Sequence, residues 1–242
     1  MTISYTLTLS HSIGVILFIF SFYTCIYNRG VFKLMGVAAR REREKLHRRN
    51  SILEAARHLF FVKGYRATMD EIAERAELSK GTLYLYFKSK DELYVSVIIE
   101  GFRVLEKKLQ AALKKAEGPE EKVKAVYYAF VDHCLENREY FRITQYFLTE
   151  DARENTSREL IEAINIDSMR LLEYGIKAIQ EGIEEGAFRD DLDPVAASLV
   201  AWRNATGILD LAVLGDEANM VAVDYGQLFD LASSLLMRGI RK

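Results

Sequence analysis

From residue 40 onward the apolar positions recur with the 3.6-residue period of helices packed along one face, and the polar breaks between them are short. Ile52, Ala56, Leu59, Phe60 and Lys63 keep that period, which predicts a helix from Arg40 to Lys63 with Gly64 placed to stop it. Thr68-Met69-Asp70-Glu71 reads as a capping box: the Thr68 hydroxyl accepts from the Glu71 amide while the Glu71 carboxylate returns to the Thr68 amide. A second helix therefore starts there, turns Ile72, Ala73 and Ala76 inward and ends near Glu77. After a turn at Leu78, a short third helix is predicted from Ser79 to about Phe87, with Leu83 and Phe87 facing in. Ser89 to Glu92 forms a second capping box, and it launches a long fourth helix to about Lys115 through Leu93, Val97, Phe102, Leu105, Leu109 and Leu113.

Beyond Gly118-Pro119 the pattern predicts helices over about 119–136, 138–150, 156–185, 194–214 and 220–239. Gly186 and Gly215 mark ends, and Asp193-Pro194 supplies a cap followed by proline in the first turn. There is no repeat, strand pattern or low-complexity tract, so the fold class is all-α.

Residues 1–34 stand apart as an apolar N-terminal extension. Met1 to Asn28 carries no charge, and Ile13 to Tyr27 is nearly all apolar, followed by Arg29 and Lys33. As a membrane anchor the stretch is short against the ~20 residues that a bilayer needs. As a signal peptide it lacks a basic start and a small-residue cleavage site. The reading favoured is that translation begins at Met35, with the anchor as the alternative.

At 242 residues and 50% hydrophobic content the chain has ample material for a core. Cys25 and Cys134 are too few and too far apart for a disulfide framework or a zinc cluster, which fits a reducing cytoplasm. Net charge is only -2, but residues 40–98 hold 13 Lys/Arg against 9 Asp/Glu while residues 99–242 hold 18 against 26. A basic head on an acidic body suits an anion such as the DNA backbone, where neutralised phosphates supply most non-specific affinity.

The segment Ser79 to Leu93, SKGTLYLYFKSKDEL, concentrates the chemistry. A short helix held by two others is the geometry that enters a major groove while its neighbour crosses the backbone. Ser79, Lys80 and Gly81 sit at its start, where helix amides favour phosphate and Gly81 leaves room for close approach. Thr82 and Tyr84 face the groove, and Thr82 suits base reading by hydroxyl or methyl. Tyr86, Lys90 and the Thr68 cap are placed to reach phosphates. The run Arg40, Arg41, Arg43, Lys45, Arg48 and Arg49 reads alone as a solvated face, but before a helix-turn-helix it is expected to touch backbone phosphates.

With these residues in register over about 50 positions, GYRATMDEIAERAELSKGTLYLYFKSKDEL resembles the DNA-binding domain of the tetracycline-repressor (TetR) family. The resemblance implies a nine-helix, Ω-shaped homodimer: an N-terminal three-helix helix-turn-helix DNA-binding domain, residues 40–90 here, and a C-terminal effector-binding and dimerisation domain, residues 91–242. It implies double-stranded operator DNA and a small-molecule effector as partners, no cofactor, and repression as the default. Residue by residue, the family's DNA contacts fall on Thr68, Ser79, Lys80, Gly81, Thr82, Tyr84, Tyr86 and Lys90. Leu85 departs from the pattern, standing where many members have a polar or aromatic residue.

The resemblance fades past about residue 100, and the sensing half is read from side chains alone. Tyr127, Tyr128, Phe130, Phe141, Tyr146, Phe147 and Trp202 are candidates to line a largely apolar effector pocket, with Arg142, Asn204 and Thr206 orienting a polar group. Aromatics at helical spacing are core residues far more often than ligand contacts. By resemblance, the last two long helices form a four-helix dimer interface, with Ala196, Ala197, Ala201, Ala205 and Gly207 allowing close approach and Leu199, Leu211, Leu228, Leu231 and Leu235 supplying apolar area. An intramolecular core accounts for the same residues. An enzyme is disfavoured: the four histidines are scattered, His133 and Cys134 point about 100° apart on a helix, and no glycine-rich phosphate loop is present.

Overall fold

In the computed structural model residues 39–149, 156–214 and 224–242 are described. The apolar extension over residues 1–34, the helix end expected at Gly215 and the helix start expected at about 220 lie outside them. The chain divides into two compact units, Met1–Ser51 and Ile52–Lys242. The described part of the first, residues 39–51, is helical, with Arg40 paired to Glu44 at 2.9 Å and the Ser51 hydroxyl donating to the His47 carbonyl at 3.1 Å.

The second unit holds nine α-helices among its described residues. Helix α1 covers residues 52–63 and is followed by a 3₁₀ turn, Gly64–Arg66, that Gly64 opens at φ 60°. Next come α2 (Met69–Arg75), α3 (Lys80–Tyr86) and α4 (Lys90–Leu113). Then follow α5 (Gly118–Glu136), α6 (Arg138–Phe147) and α7 (Arg158–Glu184). The chain closes with α8 (Pro194–Leu209) and α9 (Tyr225–Ile240). Sequence boundaries hold to within a few residues, with three differences of physical interest. Helix α6 stops at Phe147, three residues before the expected end. Past Leu209 the backbone widens into one π turn, Asp210–Leu214, so the α-helix expected to 214 ends early. The turn after α2 is made by Glu77, whose φ of 55° puts it, and not Leu78, in the left-handed region.

The second capping box is also rerouted. The Ser89 hydroxyl accepts from the Glu92 amide at 3.0 Å as expected, but the Glu92 carboxylate returns to the Lys88 amide at 2.6 Å. Two donors at the start of α4 are still satisfied, one residue further upstream.

Packing is continuous across the expected junction at residue 90. One apolar cluster joins Ile52, Leu53, Ala56 and Phe60 of α1, Ile72 of α2 and Leu83 of α3 to Leu93, Tyr94, Val97 and Ile98 of α4, and on to Ile143 and Phe147 of α6. Helices α1 to α3 are thus built onto the first turns of α4 and one face of α6. A second cluster lies among α5, α8 and α9, around Tyr127, Val131, Leu209 and Phe229. Helix α4 packs along α5 and α7, and α7 along α8. The C-terminus is closed by Phe188, 1% exposed, over Gly182, and by a two-toothed ion pair from Arg241 to Glu120.

Candidate nucleic-acid interface

Helix α3 is short because its ends are fixed on both sides. Ser79 caps it, its hydroxyl accepting from the Thr82 amide at 3.1 Å and lying 2.8 Å from the Thr82 hydroxyl. At the other end Phe87 turns extended and buries its ring. Leu83 and Phe87, both within 1% of full burial, anchor one side, and Tyr86 packs half-buried beside them. At 100° per residue the direction opposite Leu83 falls on Gly81 and Leu85, with Tyr84 and Thr82 on the flanks. The exposures agree: Leu85 is 75% and Tyr84 37% exposed, Gly81 is exposed, and Thr82 is half-buried.

The supporting helix α2 is held by the capping box read from the sequence, with Glu71 amide to Thr68 hydroxyl at 3.3 Å and Thr68 amide to Glu71 carboxylate at 2.9 Å. Lys63 closes on the same carboxylate at 2.7 Å. That ammonium, followed by the Thr68 groups, draws the Glu71 carboxyl down to about 2.

Of the residues assigned to DNA by resemblance, Ser79 caps α3, Lys80, Gly81, Thr82, Tyr84 and Tyr86 lie on it, Thr68 caps α2 and Lys90 starts α4, and most already hold a partner. Lys80 reaches back to Asp70 at 2.7 Å, which raises its pKa. This pair is exposed, so the ammonium is easily exchanged to a phosphate. Thr68 is occupied in its cap. The Lys90 ammonium donates to the Tyr65 carbonyl at 2.8 Å and sits 3.9 Å from the Tyr65 ring centroid, partly desolvated so that its pKa falls. Tyr65 in turn donates to Asp91, whose pKa burial raises. Lys90 thereby fixes the 3₁₀ turn against the start of α4. Lys88 was missed in the sequence: its exposed ammonium lies 3.3 Å from the Tyr84 carbonyl at the outward end of α3.

The residues proposed for an effector pocket separate into groups. Tyr127 is buried, with its hydroxyl donating to the Asn204 side-chain amide oxygen Oδ1 at 3.2 Å, and burial pushes its pKa up to about 12. Phe130 packs against the same cluster. Thr206 is buried on α8 and donates to the Trp202 carbonyl at 2.8 Å, while the Trp202 ring is 37% exposed. Arg142 and Tyr146 are placed elsewhere, because α6 turns them towards α1 and α4. Arg142 lies 5.2 Å from the Phe61 ring, and Tyr146 stacks on Tyr65 at 6.2 Å and meets Tyr94 at 6.1 Å.

Helix α6 makes three further links that the sequence did not show. Tyr94, 2% exposed, donates to the Ile143 carbonyl at 2.9 Å. Arg57 of α1 pairs with Glu139 and lies 5.5 Å from the Tyr140 ring. Gln145 donates to Asp210 in the π turn. One helix thus touches both the DNA-facing helices and the segment that ends α8.

Along α8 and α9 an apolar face stays open. Val195, Leu199, Val200 and Leu211 are exposed, as are Leu231 and Leu235 one turn apart on α9, with Val200 at 63% and Leu235 at 59%. Leu228 and Ala205 turn into the protein's own core instead. Among the described residues no helix is long and apolar enough to cross a membrane.

Comparison with known proteins agrees with this geometry. The family model described as bacterial regulatory proteins, tetR family, matches residues 52–97. An uncharacterized HTH-type transcriptional regulator of Bacillus subtilis, YhgD, is 31% identical over 156 residues, spanning 64% of this chain and 78% of the relative. Among solved structures, the transcriptional regulator FadR from Bacillus subtilis in complex with stearoyl-CoA superposes with a TM-score of 0.67 at 23% identity, covering 79% of this chain and 98% of that one. The fatty acid degradation regulator FadR from Bacillus halodurans gives 0.66 at 24% identity, covering 78% and 94%. The α1–α4 helix-turn-helix, its caps and the all-helical body behind it therefore make this chain a transcriptional regulator that belongs to the tetR family of bacterial regulatory proteins.

Proposed function

We propose that the protein is a ligand-responsive repressor that binds a palindromic operator as a homodimer and is released by a largely apolar small molecule. The observation that carries the DNA part is the outward face of α3: Gly81, Tyr84 and Leu85 project from a helix whose other side is locked by Leu83 and Phe87, with exposed Lys80 at its first residue and exposed Lys88 just past its end. Two such faces on a symmetric dimer read two half-sites one helical turn apart. The open apolar face of α8 and α9 supports the dimer, since exposed aliphatic side chains spaced along two adjacent helices bury well against their own symmetry copies.

Release follows from linkage. An effector that favours a conformer with α4 displaced changes the spacing of the two heads, and operator and effector then disfavour each other by the same factor. Helix α6 is built to take part, being bonded to α4 through Tyr94, to α1 through Glu139 and to the π turn through Gln145. The stearoyl-CoA in the FadR complex is one example of an apolar-tailed ligand in this fold.

The test uses the full chain. Tyr84→Ala and Lys80→Ala should each weaken binding to operator DNA in fluorescence anisotropy while sedimentation still gives a dimer. A compound found by thermal stabilisation should lower operator affinity. Loss of the dimer in either variant, or equal operator affinity with and without the compound, would refute the proposal.

A further inference from the structure

Leu85 is the most exposed of the large apolar side chains on the outward face of α3, at 75%, and nothing among the described residues covers it. The residues two positions away on either side are packed: Leu83 is fully buried and Phe87 is 1% exposed, so Leu85 cannot rotate inward without displacing the core that positions α3. Gly81 lies one turn before it on the same line. A Cβ there would meet only the Ser79 hydroxyl, at 3.9 Å, so the surface one turn before Leu85 is open backbone. Tyr84 is exposed on one flank, and the Lys88 ammonium lies 3.3 Å from the Tyr84 carbonyl. The outward side of the helix is therefore an apolar side chain next to open backbone, with a phenol and an ammonium nearby.

In a DNA major groove the bases offer hydrogen-bonding edges and one apolar feature, the thymine 5-methyl group. An isobutyl side chain has nothing to exchange with the polar edges, and covering them would leave donors and acceptors unpaired. Covering a methyl group removes apolar surface on both partners. Resting on the DNA-binding reading above, we infer that Leu85 is a specificity-determining residue that packs on a thymine methyl in each operator half-site. Sequence preference at that base pair then comes from apolar contact, while Lys88 and Lys80 supply sequence-independent attraction.

The probe is a set of duplexes enriched from a random-sequence DNA library by the full chain, then resynthesised with single thymines replaced by deoxyuridine, which removes the methyl group alone. Anisotropy with the wild-type protein should show one position per half-site at which the loss weakens binding about fourfold, the scale of burying one methyl-sized group. Leu85→Ala should bind the thymine and deoxyuridine duplexes equally well at that position, and Tyr84→Ala should keep whatever methyl discrimination it has. The Leu85 side chain is mostly in solvent, so Leu85→Ala is expected to unfold at the wild-type temperature, and that is measured alongside.

If no methyl effect exists, if it survives in Leu85→Ala, or if it vanishes only in Tyr84→Ala, the assignment to Leu85 is overturned while DNA binding stands. If the library yields no enriched sequence, the DNA-binding reading fails and takes this inference with it.

Discussion

Gly101 offers a sharp test of how closely α4 and α6 must approach. A Cβ at this buried position would lie 2.8 Å from Cγ, 2.9 Å from Cδ1 and 3.0 Å from Cβ of Tyr140. Those atoms belong to the root of a side chain, not to a flexible tip. The ring cannot swing freely, because it stacks on His133 at 6.4 Å and lies under the Arg57 guanidinium at 5.5 Å. Gly101→Ala should gain about 1 kcal/mol of helix propensity. Against it stands an overpacking cost of about 1–3 kcal/mol. The net is a loss of up to about 2 kcal/mol, which lowers the melting temperature by roughly 2–4 °C for each kcal/mol in a chain of this size. With Tyr140→Ala in the background the space opens, the overpacking cost disappears and Gly101→Ala should become stabilising by about 1 kcal/mol. Urea unfolding of the four proteins at one fixed protomer concentration measures the cycle. A stabilising Gly101→Ala in the native background, or the same shift in both backgrounds, would refute the claim that this glycine exists to let the helices touch.

Four other outcomes follow from the structure. His133 is buried and its pKa is pushed down to about 4, mainly by loss of solvent, so between the ordinary histidine value and pH 4 the unfolded chain takes up a proton that the folded one resists. Stability should therefore fall as pH drops through that window, and His133→Leu should flatten the profile measured by thermal unfolding; an unchanged slope would show that other groups set it. Ser198, 3% exposed, has a hydroxyl with no hydrogen-bond partner among the described residues, facing Gly175, so Ser198→Ala should raise stability by about 1 kcal/mol in denaturant titration, and a loss would mean that the hydroxyl is satisfied. Leu231→Glu combined with Leu235→Glu should leave helicity intact and shift sedimentation to the monomer, whereas a persistent dimer would place the interface elsewhere. Lys88→Ala should weaken operator and scrambled DNA by the same factor; selective loss on the operator would make Lys88 a base-reading residue.

The helix-turn-helix was legible because each of its devices is local. Thr68 and Glu71, or Ser79 and the amide three residues on, need only sequence spacing to find each other, and the 3.6 period of Leu83 and Phe87 fixes which side of α3 is free. The rerouted Glu92 was not legible, since its choice of the Lys88 amide depends on how the chain leaves α3. Nor was the role of Lys90, which is set by a carbonyl and a ring 25 residues away. The sensing half was less legible for the same reason on a larger scale. Periodicity marks Tyr127, Tyr146 and Trp202 alike as apolar-face residues, but the rotation of α6 sends Tyr146 towards Tyr65 and Tyr94 while Tyr127 stays with Asn204. Composition likewise named Leu228 and Leu231 together, and only packing divides one to the core and the other to the open face.

The most direct test of the account is fluorescence anisotropy of the full chain on library-enriched DNA and on a scrambled duplex of equal length, across a salt series. The account predicts tight, sequence-selective binding whose logarithm falls linearly with the logarithm of salt. Equal binding to both duplexes, or binding indifferent to salt, would contradict the central claim that the outward face of α3 reads DNA.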